Sequence, residues 1–239
     1  MKVFFVFLYT GFLSCIAILS MLISPRGRYI MPIARSWSRS IFAAAGVRHL
    51  VLRRDRIDWS RNYLFLTNHQ SQFDILALVL AIPISFRVIA KRILFLIPAF
   101  GWVLYLAGFI AIDRTNRERA IRNLDRAAER VRAGLSLLIF AEGPRGTGDT
   151  LLPFKKGPIV LGLKAGVPIV PIAVRGGRHV LPKGTLRFQP GTIEVIFGDP
   201  IPTRDYTYDT RESLMKRVRG EIQSLLEYKE PAAAPDPRC

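Results

Sequence analysis

Residues 62–82 read NYLFLTNHQSQFDILALVLAI, and the fold turns on how this stretch divides. NYLFLTN (62–68) has the short apolar run of a strand, and DILALVLAI (74–82) reads as a helix. The polar residues between them form a strand-to-helix junction. Working outward, the same alternation recurs. VRHLVLRR (47–54), RVIA (87–90), GFIAID (108–113), LSLLIF (135–140) and VPIVPIAV (167–174) read as strands. PAFGWVLYLAG (98–108), NRERAIRNLDRAAERVRAG (116–134), KKGPIVLGLKAG (155–166) and a last segment over 211–228 read as helices. In 116–134 the apolar residues fall at helical spacing, and Gly134 closes the run. TLRFQPGTIEVIFG (185–198) suggests a hairpin. Strands alternating with helices predict an α/β domain over 47–229, its sheet largely parallel or mixed and flanked by helices. EPAAAPDPRC (230–239) is a Pro/Ala-rich tail expected to fray.

The amino-terminal residues set a second expectation. From 3 to 24 the chain reads VFFVFLYTGFLSCIAILSMLIS, with no charged side chain. At about 1.5 Å per residue that run spans a bilayer core of about 30 Å. A cleaved signal peptide would carry a shorter apolar run and a small-x-small site, and none precedes the basic SPRGR. Arg26, Arg28, Arg35 and Arg39 follow the run and only Lys2 precedes it, so a spanning helix would leave the rest of the chain in the cytoplasm. YIMPIARSWSRSIFAAAG (29–46) mixes arginine with Ile, Trp and Phe, as an interfacial helix does. Residues 1–46 are therefore expected to be membrane-anchoring helices, either spanning or lying as a hairpin in one leaflet.

Composition narrows the partners. Half of the 239 residues are hydrophobic and the formal charge is +17, which calls for an anionic partner: nucleic acid, an acidic membrane surface, or an acidic carrier or substrate. No aromatic RNA-binding signature or helix-turn-helix supports nucleic acid. Cys15 lies in the apolar run and Cys239 is the last residue, so no disulfide framework or zinc cluster is offered.

Three polar motifs, TNHQSQFD (67–74), IDRTN (112–116) and FAEGPRGTGD (140–149), each begin at the carboxyl end of an expected strand. That edge is where open α/β sheets bind ligands. In a continuous helix His69 and Asp74 would lie about 140° apart. They meet only if His69 sits in the turn and Asp74 in the first turns of the helix. An aspartate on one imidazole nitrogen makes the other a better base; a helix cap with an incidental histidine is the plainer reading. Glu142, Gly143 and Arg145 offer close backbone approach and a phosphate-pairing guanidinium, or simply a glycine-rich turn with an ion pair. Arg114 follows a strand and is either a ligand or the partner of Asp113. Lys91, between apolar segments, is either a ligand or a snorkelling surface lysine. His49 and His179 show no metal-ligand spacing, and Ser71 lacks the GxSxG elbow of a hydrolase nucleophile.

Taken in order, NHQSQFD, VIAKRILFLIPAFGW, GFIAIDR, FAEGPRG and FKKGPIVLGLKAGVPIVPIAV resemble the five blocks of the glycerolipid acyltransferases, specifically the lysophosphatidic acid acyltransferases, over residues 47–200. The resemblance implies acyl transfer from an acyl-CoA or acyl-carrier-protein thioester to the sn-2 hydroxyl of lysophosphatidic acid at a membrane, giving phosphatidic acid. It implies no covalent acyl-enzyme, no metal and no cofactor. His69 would be the base and Asp74 its orienting partner. Arg114, Glu142 and Arg145 would bind the glycerol phosphate, Lys91 would face it, and Asn68 and Gly143 would shape the loops. Where the family usually reads EGTRS, Pro144 and Gly146 remove two hydroxyls, which leaves another lysolipid open as acceptor.

Overall fold

The computed structural model describes residues 2–24, 27–112, 117–146, 150–185 and 187–230. Two helices, α1 (Lys2–Ile23) and α2 (Ile30–Ala45), open the chain. There follow β1 (Val47–Leu52), β2 (Leu64–Thr67), α3 (Phe73–Ala81), β3 (Phe86–Lys91), α4 (Phe100–Leu106), β4 (Ile110–Ile112) and α5 (Arg117–Arg132). The chain ends with β5 (Ser136–Phe140), α6 (Lys156–Ala165), β6 (Ile169–Arg175), α7 (Gly177–Val180), β7 (Gly191–Phe197) and α8 (Arg211–Glu227). The α/β architecture is the one expected from the alternation.

The strands form one sheet in the order β1-β7-β6-β2-β5-β3-β4. Every pairing is parallel except β6 with β7. The central strands are buried on both faces, which is why they read as unbroken apolar runs. Successive residues still serve opposite cores. Phe65, Leu138, Val170 and Ile172 pack with α2 and α3 on one face, while Leu64, Leu66, Leu137 and Ile139 pack with α5, α6 and α8 on the other. The register aligns Thr67 with Phe140 and Ile172, and Lys91 with Ile112. The carboxyl ends of β2, β3, β4, β5 and β6 therefore share one edge.

Two expectations change. The hairpin over 185–198 is not formed: only 191–197 is a strand, and it pairs antiparallel with β6 and parallel with β1. Residues 187–190, which include Pro190, carry no strand; proline has no N–H for a ladder. The second change concerns α2. The boundary at residue 46 follows it, and Gly46 ends it in the left-handed conformation (φ 72°). Yet Met31, Ile41, Phe42 and Ala45 belong to the same core as the sheet. Arg35 donates to the carbonyls of Ile82 (3.0 Å) and Pro83 (2.6 Å) just past α3, where the exposed carbonyls of a helix end favour a cation. α2 is thus a packing element of the α/β layer as well as the neighbour of α1. Trp37 and Ser40 bind α1 through Thr10 (2.9 Å) and Tyr9 (3.1 Å).

α1 itself is long and apolar enough over Val6–Ile23 to cross a membrane, and only 17% of that window is buried inside the protein. Phe4, Phe7, Phe12, Leu19 and Leu22 face outward.

Candidate active site

The site grows from the end of β2. Thr67 is the last ladder residue, and the side chain of Asn68 continues the pairing where the backbone leaves the sheet. Its amide donates to the carbonyl of Val174 and accepts from the N–H of Val174, both at 2.8 Å. A side-chain amide here copies a peptide unit of the β2–β6 ladder and frees the main chain to turn. His69 is the next residue.

The bend brings His69 and Asp74 together. Nδ1 of His69 lies 3.0 Å from Oδ2 of Asp74, in the first turn of α3. The same oxygen accepts the backbone N–H groups of Gln70 (2.7 Å) and Ser71 (2.8 Å). An oxygen that serves two amides is an acceptor, so Nδ1 carries a hydrogen, and in the neutral imidazole Nε2 then holds the lone pair. Nε2 has no hydrogen-bond partner among the described residues. The Asp74 side chain is 0% exposed and that of His69 18%. The helix N-terminus, with its partial positive charge, favours the carboxylate there. Phe140, the last residue of β5, stacks on the imidazole at 3.9 Å between centroids and 23° between planes, which fixes the plane of the ring.

The second loop is tied to the first. Ala141 donates to the Thr67 carbonyl (2.9 Å), and Gly143, at φ 85°, makes a tight turn back to the Phe140 carbonyl (3.0 Å). Glu142 is buried, and both its oxygens meet backbone donors: Oε1 the N–H of His69 and Oε2 the N–H of Leu152, each at 2.9 Å. Gly146 closes the loop by donating to the His69 carbonyl (2.8 Å). Expected as a phosphate ligand, Glu142 instead clamps the backbone of His69 to the loop. Burial pushes its carboxyl above the ordinary range, against the downward pull of the two backbone donors.

Of the expected cations, Arg145 is half-buried in this loop, and its carbonyl accepts from Nζ of Lys183 (3.1 Å). Lys91 is exposed at the carboxyl end of β3, on the same edge but two strands from β2, about 10 Å away at ordinary strand spacing. Arg114 and Asp113 lie outside the described residues. Ser71 is buried, and its hydroxyl donates to the Leu181 carbonyl (3.1 Å), so it is placed as a structural turn residue.

Sequence reasoning missed three neighbours of this site. Phe140 and Lys183 carry no local signal. Gly177, which opens α7, presses on the back of Asp74. A Cβ built at Gly177 would collide with Oδ1, and would lie 3.0 Å from the Ser71 Cβ and 3.6 Å from the Asp74 Cγ. That Oδ1 is buried without a hydrogen-bond partner among the described residues. The signal was the Gly-Gly pair at 176–177 after a strand, whose partner in space no sequence pattern names.

A largely parallel sheet with a histidine–aspartate pair at its carboxyl edge, basic loops beside it and an exposed apolar helix define an α/β fold with a candidate active site at that edge. The chain belongs to the acyltransferase family: the family model described as Acyltransferase matches residues 49–175, which include the His69–Asp74 junction and the Glu142–Arg145 loop. It is similar to the human 1-acyl-sn-glycerol-3-phosphate acyltransferase alpha, 33% identical over 221 residues, covering 91% of this chain and 78% of that protein. An uncharacterised acyltransferase of Schizosaccharomyces pombe is 35% identical over 169 residues, 70% of this chain. The 1-acyl-sn-glycerol-3-phosphate acyltransferase of Limnanthes douglasii is 35% identical over 156 residues, 65% of this chain. The matches span 61% of the yeast protein and 56% of the plant protein. Among solved structures, the 1-acyl-sn-glycerophosphate acyltransferase PlsC of Thermotoga maritima superposes with a TM-score of 0.78 at 25% identity, over 95% of this chain and 97% of that one.

Proposed function

We propose that this chain transfers a fatty acyl group from a thioester donor, acyl-CoA or acyl-carrier protein, to the sn-2 hydroxyl of lysophosphatidic acid, giving phosphatidic acid. The observation that carries this reading is the His69–Asp74 contact of 3.0 Å with Nε2 left unpartnered among the described residues. Nε2 takes the proton of the acceptor hydroxyl as its oxygen attacks the thioester carbonyl. The imidazolium that forms is stabilised by Asp74, and the proton passes to the departing thiolate as the tetrahedral intermediate collapses. Proton transfer of this kind is worth about 10²–10⁴-fold. The reading needs no acyl-enzyme, metal or cofactor, and the buried hydroxyl of Ser71 argues against a serine hydrolase.

Arg145, Lys91 and Arg114 are the cations proposed to bind the acceptor phosphate, with Lys183 as a further candidate beside Arg145. Glu142 and Gly143 act through the loop, by holding His69 and Arg145 in place. α1, with α2 beside it, is proposed to attach the enzyme to the membrane in which its acceptor resides, and the α/β layer to face the cytoplasm. The acceptor is supported by the human and Limnanthes relatives, which are 1-acyl-sn-glycerol-3-phosphate acyltransferases, and by the Thermotoga 1-acyl-sn-glycerophosphate acyltransferase. A panel of lysolipid acceptors with both donor types, read by mass spectrometry, tests the reading. Phosphatidic acid as the dominant product supports it, whereas released fatty acid without an acylated lipid would sink it.

A further inference from the structure

The segment from the end of β3 to the end of α4 takes no part in the proton chemistry, yet its surface is as apolar as that of α1. Ile93, Leu96, Ile97, Trp102, Tyr105 and Leu106 are all exposed, Leu96 at 68%, Trp102 at 63% and Tyr105 at 76%. Scattered exposed leucines need no explanation, but a contiguous run of this kind marks an interaction surface.

The segment is folded and not a slack loop. Arg92–Leu96 makes a 3₁₀ turn, and α4 begins four residues later. Between them Ala99 holds φ 60°, in the left-handed region where a side chain is strained. Gly101 is pressed so closely on the Phe95 carbonyl that a Cβ would collide with it. The surrounding structure therefore holds one defined, locally strained backbone path, along which these apolar side chains lie exposed.

What they point toward follows from their neighbours. Val103 and Phe109 pack in one cluster with Ala17, Met21 and Ile30, so the segment is fixed against α1. An apolar cleft of about 360 Å³ between them is lined by Ile18 of α1 and by Phe95, Trp102, Tyr105 and Leu106. The exposed face of α1 and that of α4 are continuous, and a solvent that receives one receives the other. Lys91 and Arg92 are exposed where the segment leaves the sheet edge, as suits an anionic headgroup layer. Trp102 and Tyr105 are the residue types that settle at the membrane–water interface.

We propose that residues 92–106 form a second membrane-seating ledge, immersed in the same leaflet as the adjoining part of α1, with a lipid bilayer as its occupant. This rests on the membrane attachment put forward above and adds a consequence. The ledge follows directly on Lys91, at the sheet edge that carries His69, so it holds that edge at headgroup level, and the acceptor hydroxyl reaches the base without leaving the leaflet. An apolar helical face seated in this way enters the interface by about 5–10 Å.

The test uses the full chain in vesicles of equal parts phosphatidylcholine and phosphatidylglycerol, with and without bromine on the acyl chains. Emission from Trp102 is isolated as the difference between wild type and Trp102→Phe, which leaves Trp37 and Trp59 untouched. Brominated lipid should quench that component by roughly half or more, and aqueous iodide should barely affect it. In a Cys15→Ser, Cys239→Ser background, Ile93→Cys carrying a polarity-sensitive dye should shift to the blue when vesicles are added. If the protein floats with the vesicles while iodide, and not bromine, quenches Trp102, the ledge is overturned and membrane attachment stands. A protein that fails to float overturns both. Cross-linking of a cysteine at 93 to a second chain, with no quenching by brominated lipid, would make the patch a self-association surface and refute the proposal.

Discussion

Gly177→Ala is the most demanding test of how the site is held. The new methyl carbon would stand 3.0 Å from the Ser71 Cβ and closer still to Asp74 Oδ1. Ordinary van der Waals separation is about 3.5 Å or more, so Oδ1 must retreat by about 1 Å. Asp74 is 0% exposed, and its other oxygen is committed to His69, Gln70 and Ser71. It can therefore move only by disturbing the bond that orients the imidazole. Misplacing a catalytic group by about 1 Å costs about 10²-fold in rate, close to 2.7 kcal/mol of barrier. The expected result is a kcat about a hundredfold lower, with the KM for lysophosphatidic acid little changed, in a protein that still melts cooperatively in detergent. Overpacking also destabilises by about 1–3 kcal/mol, so a second variant is needed to separate the two effects. Gly162→Ala serves, because its Cβ would meet Ile169 Cδ1 at 2.9 Å and Leu64 Cδ2 at 3.2 Å, in the core on the other face of the sheet. It should lower Tm and leave kcat per folded molecule near wild type. If Gly177→Ala kept wild-type kcat, or lost no more than Gly162→Ala at equal loss of Tm, the reasoning that Gly177 seats Asp74 would be wrong.

Other consequences follow from the same geometry. Arg145→Ala should raise the acceptor KM by about 10- to 100-fold, the worth of a charge-assisted bond of about 1.5–3 kcal/mol, and an unchanged KM would remove Arg145 from the phosphate site. Asn68→Ala leaves the N–H and carbonyl of Val174 buried without their side-chain partner, which should cost about 2–4 kcal/mol in unfolding measured in detergent; a change under about 0.5 kcal/mol would mean that the ladder extension carries no weight. Glu142 has a native pKa raised by burial, so its contribution to stability is full below the ordinary carboxylate range and is lost as pH rises through the raised value, because the native state then holds more protons than the unfolded one. The Tm of wild type relative to Glu142→Gln should therefore fall as pH rises above the ordinary carboxylate range, and a rise there would contradict the burial argument.

Much of this architecture is legible from residues 62–82 and the strand–helix alternation around them, because a strand buried on both faces has to be an apolar run and a helix closed by Gly46, Gly134 or Gly166 announces its end. The meeting of His69 with Asp74 is also legible: a five-residue offset fails on a helix face, and the junction supplies the bend. The hairpin over 185–198 misled because β-propensity is local, whereas the partners of β7, namely β1 and β6, come from distant sequence. Glu142 misled for a related reason. An acid beside an arginine in a glycine-rich loop looks the same whether it faces a ligand or a backbone amide, and only the fold shows His69 and Leu152 donating to it. Phe140 and Lys183 carry no local signal, and the Gly-Gly pair at 176–177 does not name Asp74, because each acts through contact with a residue far away in the chain.

The central claim is that His69 takes a proton from a lipid hydroxyl, and His69→Ala tests it most directly. The variant should retain its fold and its flotation with vesicles. Formation of phosphatidic acid from lysophosphatidic acid and an acyl donor, followed by mass spectrometry, should fall by about 10²–10⁴-fold. Turnover near wild type in the purified variant would contradict the account.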